Sequence, residues 1–322
     1  MEAREKKELR NVVNKAIKVI IFTAIFQALC LGLGSISYLS ESYQEEINDF
    51  AANNKIILVI GGIYIFSILI SSIISYLFYR RDGLTKKLFE KKEKINFLNL
   101  LKVSIVVIML KNIVTVFFDK DAVLPLNDFV GTGISSGSIL FLLLVGIIAV
   151  VYDEVLYHGY ILKSFEKYGG IFSIIIVSVI TWCPIFELEQ LGGLVVVFIM
   201  AYIAYYYSLV YSIILSIMCE SVSVIFFTLS HRGIGNNADK IIMIVLVIVS
   251  IIIMIQYFKN CGAALIKQIK ESNLRLDKFK VALTSILFLA VLVIEFFMRL
   301  KDINIPGIGY IILVVIFRYL DK

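Results

Sequence analysis

The sequence predicts an all-α fold, a polytopic transmembrane helical bundle with about 8–10 membrane spans and with its N- and C-termini in the cytoplasm. Of the 322 residues, 60% are hydrophobic and only 17% are charged, and the mean hydropathy is +0.92. The apolar residues form long runs, and a run of roughly 20 crosses a hydrocarbon core about 30 Å thick. Runs of this length are typical of helices rather than of barrel strands.

The predicted spans are apolar runs separated by short polar or charged connections. The fifth and tenth runs are short for a full crossing. In chain order we expect spans at 17–39, 56–79, 97–118, 135–152, 171–186, 191–207, 209–229, 241–258, 281–298 and 304–318.

The lysines and arginines predict the orientation of these spans. They are concentrated in the N-terminal tail and in the connections at 80–94 and 259–280, whereas the first connection, 41–49, is acidic. Because cytoplasmic loops carry the excess of basic residues, this alternation places both termini in the cytoplasm. The net charge of +6 then favours contact with anionic lipid over nucleic acid as a partner.

Cysteine and histidine usage limits the possible cofactors. The chain has four cysteines without paired spacing and two histidines, and it contains neither an HExxH nor a CxxC pattern. These counts argue against a disulfide framework and against a histidine-rich zinc site, so we expect no cofactor and no metal. The abundance of Ile, Lys and Asn is typical of an AT-rich bacterial genome, and we expect the bacterial cytoplasmic membrane as the location.

The candidate functional residues are Asp153, Glu154 and His158, at the predicted cytoplasmic end of the fourth span. Ionisable groups at membrane depth are costly and usually mark function. Glu154 and His158 are four residues apart, so a helix brings them onto one face. A carboxylate partly removed from water is suited to act as a general base. The alternative interpretation is a solvated helix end, with His158 and Lys163 near the acids.

The segment 153–159 resembles the Glu-Glu-x-x-x-Arg motif of the CAAX protease and bacteriocin-processing family, the type II CAAX prenyl endopeptidase-like proteins. The resemblance implies an intramembrane endopeptidase fold, and the family also includes lysostaphin-resistance and bacteriocin-immunity proteins. It covers roughly 135–230. We therefore divide the chain into N-terminal membrane helices at 1–134, a family-like core at 135–230 and C-terminal membrane helices at 231–322.

Within the first motif, Asp153 replaces the family's first Glu, and His158 replaces its Arg. Glu154 retains the second Glu, which the resemblance implies is the general base. The family's second motif, aromatic-x-x-x-His, aligns with the segment from Trp182 to Phe186, where Phe186 replaces the histidine.

The family's third motif, His-x-x-x-Asn or His-x-x-x-Asp, falls within 211–224. Glu220, or Cys219 if the register shifts by one, replaces its histidine, and Val224 or Ser223 replaces the Asn. Each lost acid–base or oxyanion-stabilising group costs on the order of a hundredfold in rate. The resemblance therefore implies a degenerate member without the family's histidines.

Three functions remain open at this point. The leading hypothesis is a non-catalytic scaffold, regulator or bacteriocin-immunity-type protein that binds another membrane protein or a peptide. The second is an active intramembrane endopeptidase that uses Glu154 with His158 and with Glu187, Glu189 or Glu220, of which Glu220 is best placed. The third is a small-solute transporter, which the lack of matching Gly- or Pro-interrupted halves disfavours. The oligomeric state does not follow from the sequence.

Overall fold

The structure, a computed structural model, is helical wherever it has regular secondary structure. It describes residues 2–36, 50–90, 93–117, 136–182, 191–231, 238–271, 276–283 and 285. No strand occurs within these ranges. The prediction of an all-α class is confirmed for this part of the chain.

The described chain forms ten α-helices with two short 3₁₀ turns and one π-helical segment. The 3₁₀ turns are Leu84–Lys87 and Glu166–Tyr168, and the π-helical segment is Glu154–Ile161. The helices are α1 (Ala3–Ile36), α2 (Phe50–Arg80), α3 (Phe97–Phe117), α4 (Ser136–Asp153), α5 (Leu162–Phe165), α6 (Gly170–Trp182), α7 (Leu191–Tyr206), α8 (Leu209–His231), α9 (Ala238–Glu271) and α10 (Leu276–Leu283).

The helix ends agree best with the prediction where a helix is apolar throughout. The predicted span 97–118 is α3, and the predicted span 191–207 is α7. By contrast, α1 begins at Ala3 and α9 continues to Glu271. Counting apolar residues misses these turns, because Lys, Arg, Glu and Gln are good helix formers. Most of the predicted span 281–298 and all of 304–318 lie outside the described residues.

Two of the described helical stretches are long and apolar enough to cross a membrane. They are Gly61–Arg80, with 20 residues, and Leu143–Tyr168, with 26 residues. Length and composition alone identify them, and a long core helix of a soluble protein passes the same test. Four shorter stretches are also apolar: Gly170–Thr181, Gly193–Tyr206, Leu209–Val222 and Ile241–Tyr257.

The helices pack into two adjoining apolar cores. One core joins α1, α2 and α6 to the π-helical segment, with buried side chains that include Tyr79, Ile161 and Phe165. The other joins α3, α7, α8 and α9 and includes Val107, Leu215 and Met243. Helix α4 packs against both α2 and α8. The segment that follows α4 therefore lies at the boundary between the two cores.

Polar contacts tie distant segments together at one end of the helices. Lys15 Nζ lies 2.6 Å from Asp82 Oδ2, and Lys167 Nζ lies 3.4 Å from Glu8 Oε2. Lys278 Nζ, on α10, donates to the Tyr168 carbonyl oxygen over 2.6 Å. The start of α1, the end of α2, the end of the α4 stretch and α10 therefore meet at the same end.

Candidate functional site

The acidic motif lies inside a long helical stretch rather than at its end. The helix continues beyond the predicted end of the span at 152, because α4 runs through the π-helical segment into α5 and the 3₁₀ turn at Glu166–Tyr168. A charged pair ends an apolar run in a sequence, but it does not end a helix when other helices supply hydrogen-bond partners. Unlike an α-helix, a π-helix bonds residue i to i+5, and such segments are frequent at functional sites.

Glu154 and His158 form a buried pair. His158 Nδ1 lies 2.8 Å from Glu154 Oε2, and the two residues are only 5% and 6% exposed, respectively. The expected placement of the two side chains on one face of the helix is confirmed. Because an ionised carboxylate only accepts hydrogen bonds, this geometry assigns a proton to Nδ1 of His158.

Two serines of α8 complete the surroundings of Glu154. Ser216 Oγ donates to Oε1 over 2.6 Å, and Ser212 Oγ donates to Oε2. Ser212 Oγ also lies 3.2 Å from the Met200 carbonyl oxygen, but its single proton goes to the stronger, charged acceptor. Both carboxylate oxygens therefore accept hydrogen bonds from protein groups in a buried setting.

The second nitrogen of His158 has no such partner. Nε2 is buried and finds no hydrogen-bond partner among the described residues. A buried polar atom without a partner costs stability, so its presence calls for an explanation such as a bound water or a chemical role. The Glu154 carboxylate orients the imidazole through Nδ1, and Nε2 is the ring nitrogen without a described partner.

Asp153 occupies a different environment from Glu154. Its side chain is exposed, and no residue that the structure describes donates a hydrogen bond to it. It interacts electrostatically with Glu154, His158, Glu220 and Lys111. The carboxylates of Glu154 and Glu220 repel it, whereas His158 and Lys111 attract it.

Glu220 binds a lysine rather than the Glu154 pair. Its Oε2 lies 2.5 Å from Nζ of Lys111 on α3. A Cβ added at Gly146 would lie 3.2 Å from Glu220 Cγ, so this glycine lets the side chain lie close against α4. The position of Glu220 at the middle of α8 agrees with the prediction. The pairing of Glu220 with Lys111, 109 residues away, was not predicted.

Tyr152 points in a third direction. Its hydroxyl is buried near the side chains of Thr23, Ser71 and Ser75, on α1 and α2, without full hydrogen-bond geometry to any of them. Successive residues on a helix differ by about 100° in direction. Tyr152, Asp153 and Glu154 therefore face three different sets of helices.

The positions aligned with the second and third family motifs are only partly described. Trp182 is the last residue of α6, and Ser223 and Val224 belong to α8. Cys219 is buried in the core that joins α3, α7, α8 and α9. Phe186, Glu187 and Glu189 lie outside the described residues.

The described residues contain no group of three or more His, Cys, Asp and Glu side chains placed to hold a metal ion. The chemistry that the site offers is therefore that of a carboxylate–imidazole pair, an isolated carboxylate and a Lys–Glu ion pair. The Glu–His pair can move a proton, whereas the isolated carboxylate can attract a positive charge.

The sequence reasoning missed three residues of this site: Ser212, Ser216 and Lys111. A signal was present for the serines, because Ser212, Ser216 and Glu220 follow one another at intervals of four residues and so share one face of α8. In an apolar helix such a polar stripe indicates contact with another helix rather than with lipid.

Comparison of the chain with protein-family models, with curated proteins and with solved structures gives no match.

Proposed function

We propose that this chain is a multi-pass protein of the bacterial cytoplasmic membrane and a non-catalytic relative of the CAAX protease and bacteriocin-processing family. It acts as a scaffold, a regulator or an immunity-type protein by binding a membrane protein or a peptide. The acidic motif then serves the structure of the bundle rather than peptide hydrolysis. The single observation that supports this is the enclosed state of Glu154.

The membrane location is supported by the exposed apolar side chains. Exposed large hydrophobic residues form a stripe along α9 at helical spacing, and α2 carries a similar one. In water, contiguous apolar surfaces of this kind are unfavourable, whereas lipid solvates them. The α9 stripe consists of Ile241, Ile244, Val245, Ile248, Ile251, Ile252 and Ile255.

The orientation with cytoplasmic termini is supported by the clustering of basic segments. The Lys15–Asp82, Lys167–Glu8 and Lys278–Tyr168 contacts bring three lysine-bearing segments to one end of the helices. An end rich in Lys and Arg faces the cytoplasm under the positive-inside rule.

The hydrogen bonds of Glu154 support the proposed non-catalytic role. A general base must reach the water or substrate from which it takes a proton. The two oxygens of Glu154 accept from His158, Ser212 and Ser216, and its exposure is only 6%. Buried polar groups that are fully satisfied in this way join helices firmly to one another. Here the carboxylate joins α8 to the π-helical segment.

The experiment compares the termini of membrane proteins by mass spectrometry in cells that carry the wild-type chain, no chain, Glu154→Gln or Glu154→Ala. Equal protein levels are checked by immunoblot. We expect the same termini in all strains, because the enclosed carboxylate does not activate water. Glu166→Gln, which changes a carboxylate near the end of the same helical stretch, is the matched control.

A terminus that depends on the wild-type chain, and that both Glu154 variants lose while Glu166→Gln keeps it, would overturn the proposal. If the Glu166→Gln strain lost the same terminus, the cause would be poorer folding of the chain. The immunoblot would then show a lowered protein level.

The second candidate is an active intramembrane endopeptidase, and the buried Nε2 of His158 favours it. In this arrangement Glu154 orients the ring, and Nε2 rather than the carboxylate takes the proton from water. His158→Gln would then lower cleavage by about a hundredfold or more, with the protein level unchanged. Cleavage that survives this substitution would exclude the candidate.

A further inference from the structure

The Asp153 carboxylate lies where four helices each contribute one polar group. Asp153 is on α4, Lys111 on α3, Glu220 on α8 and Tyr64 on α2, and all of them interact electrostatically with Asp153. The residues belong to apolar helices, and in the membrane arrangement proposed above they lie at the depth of the bilayer. This polar group of four is called the Asp153 cluster below.

The charges of the Asp153 cluster do not balance. Lys111 and Glu220 neutralise each other at 2.5 Å, and Tyr64 is neutral, so the carboxylate of Asp153 is the excess charge. A charged group within a bilayer is costly unless it pairs with a group of opposite charge or reaches water. Glu154, about 100° around the helix, repels Asp153, and His158 attracts Asp153 but is already hydrogen-bonded to Glu154.

The Asp153 cluster is also accessible from the side of the helices. Asp153 and Lys111 both have exposed side chains. Helix α2 packs chiefly on α1 and α4, whereas α3 packs chiefly on α7, α8 and α9. The flanking helices α2 and α3 therefore belong to different groups of packed helices, and the cluster lies between these groups.

We propose that the Asp153 cluster binds the ammonium or guanidinium group of a Lys or Arg within a transmembrane helix of a partner protein. This inference rests on the proposed function and names the chemistry of its partner. A single basic residue at mid-membrane depth supplies the missing positive charge, and Asp153 supplies the acceptor. The partner helix lies along the face between α2 and α3.

A proton is the simplest alternative occupant, because a protonated Asp153 also removes the excess charge. With Asp153 protonated, the site would bind a neighbouring helix equally well whether or not that helix carries a positive charge. A cationic partner instead requires that binding depend on both the carboxylate and the partner's positive charge. The two occupants therefore predict different results with one pair of probes.

The test uses the full-length protein in phosphatidylcholine nanodiscs with two fluorescent poly-leucine transmembrane peptides. One peptide carries a single central lysine, and the other has methionine at that position. Energy transfer to a labelled protein reports binding. We expect the lysine peptide to bind at least about tenfold more tightly than the methionine peptide, as for a close charge pair removed from water.

Asp153→Asn should remove this preference, and Asp153→Glu should keep it. Asn is suited to the test because no described residue donates a hydrogen bond to Asp153, so the substitution leaves the fold intact. Equal binding of the two peptides to the wild-type protein, or a lysine preference that persists in Asp153→Asn, would overturn the proposal.

The result is separable from the test of the proposed function. Cleavage that depends on Glu154 would refute the non-catalytic role and leave a lysine preference at Asp153 standing. Conversely, unchanged termini together with equal peptide binding would keep the non-catalytic role and refute the cationic partner.

Discussion

Asp153 and Glu154 are adjacent carboxylates in one helical stretch, and they have opposite environments. Glu154 is buried and accepts hydrogen bonds from an imidazole and two hydroxyls. Asp153 is exposed and has only longer-range interactions with charged neighbours. The rotation of about 100° between successive helical residues is enough to turn one acid toward a partner helix and the other toward a face where no described residue donates a hydrogen bond to it. The comparison shows that an acidic pair in a sequence is not necessarily a functional pair.

The largest expected effect is that of Glu154→Ala. It leaves the Nδ1 proton of His158 and two serine hydroxyls without an acceptor in a buried site. Removing one member of a buried pair costs about 3–5 kcal/mol, and we expect the free energy of unfolding to fall by that amount. Unfolding in a detergent titration measures it, with Glu166→Ala as a control. A loss below about 1 kcal/mol would show that the hydrogen bonds contribute little to stability.

A smaller loss is expected for Ser216→Ala, which removes the donor to Oε1 of Glu154. Hydrogen bonds between helices in membrane proteins contribute about 0.6 kcal/mol on average and up to about 1.7 kcal/mol. Ser178→Ala is a matched control, because this buried serine donates to the Ile174 carbonyl oxygen of its own helix. If both variants lose the same stability, the bond to Glu154 is no stronger than a local one.

Asp153→Asn is expected to change the free energy of unfolding by no more than about 0.5 kcal/mol. The substitution removes a charge that Glu154 and Glu220 repel and that His158 and Lys111 attract, and it breaks no hydrogen bond to a described residue. The same detergent titration applies. A loss as large as that of Glu154→Ala would eliminate the contrast between the two acids.

Glu8 extends the comparison to a carboxylate at the solvent-facing end of the helices. A hydrogen bond and Coulomb attraction from Lys167, followed by those from Arg4, lower the pKa of Glu8 from its usual 4.5. The stabilisation is therefore present above about pH 4.5 and is lost as the pH falls through the folded-state pKa.

We expect the melting temperature of the wild type to exceed that of Glu8→Gln slightly at about pH 6, and the difference to vanish near pH 3. Lys167→Met, which removes the partner, should show the same loss of acid dependence. If the difference in melting temperature grew as the pH falls, the pKa of Glu8 would be raised rather than lowered in the folded protein.

The helices could be predicted because a long apolar run identifies a segment that is kept away from water. This is why α3 and α7 follow the predicted bounds to within a residue. The continuation of α4 beyond Asp153 could not be predicted in this way. A charge lowers the hydropathy of a run whatever lies beside it in space, whereas helix continuity depends on the backbone and on the partners that other helices supply.

The pairing of Glu154 with His158 could be predicted from a spacing of four residues alone. The stripe of Ser212, Ser216 and Glu220 indicates a contact with another helix, but it does not identify Glu154 as the partner of the serines. Ser212 and Ser216 are 58 and 62 residues away from Glu154, and most serines of these helices donate to their own backbone instead. The pairing of Lys111 with Glu220 likewise depends on the contact between α3 and α8, which local periodicity does not contain.

The π-helical segment has a consequence for insertions and deletions in this chain. A π-helix closes each hydrogen-bonded ring with one more residue than an α-helix does. Deleting one residue within Glu154–Ile161 would therefore let the stretch continue as an ordinary α-helix. Everything beyond the deletion would then keep its height along the axis but change its direction relative to Glu154. The extra residue in the π-helical segment therefore sets the direction in which the end of the helical stretch approaches α6 and α10. It does not set how far the stretch extends along its axis.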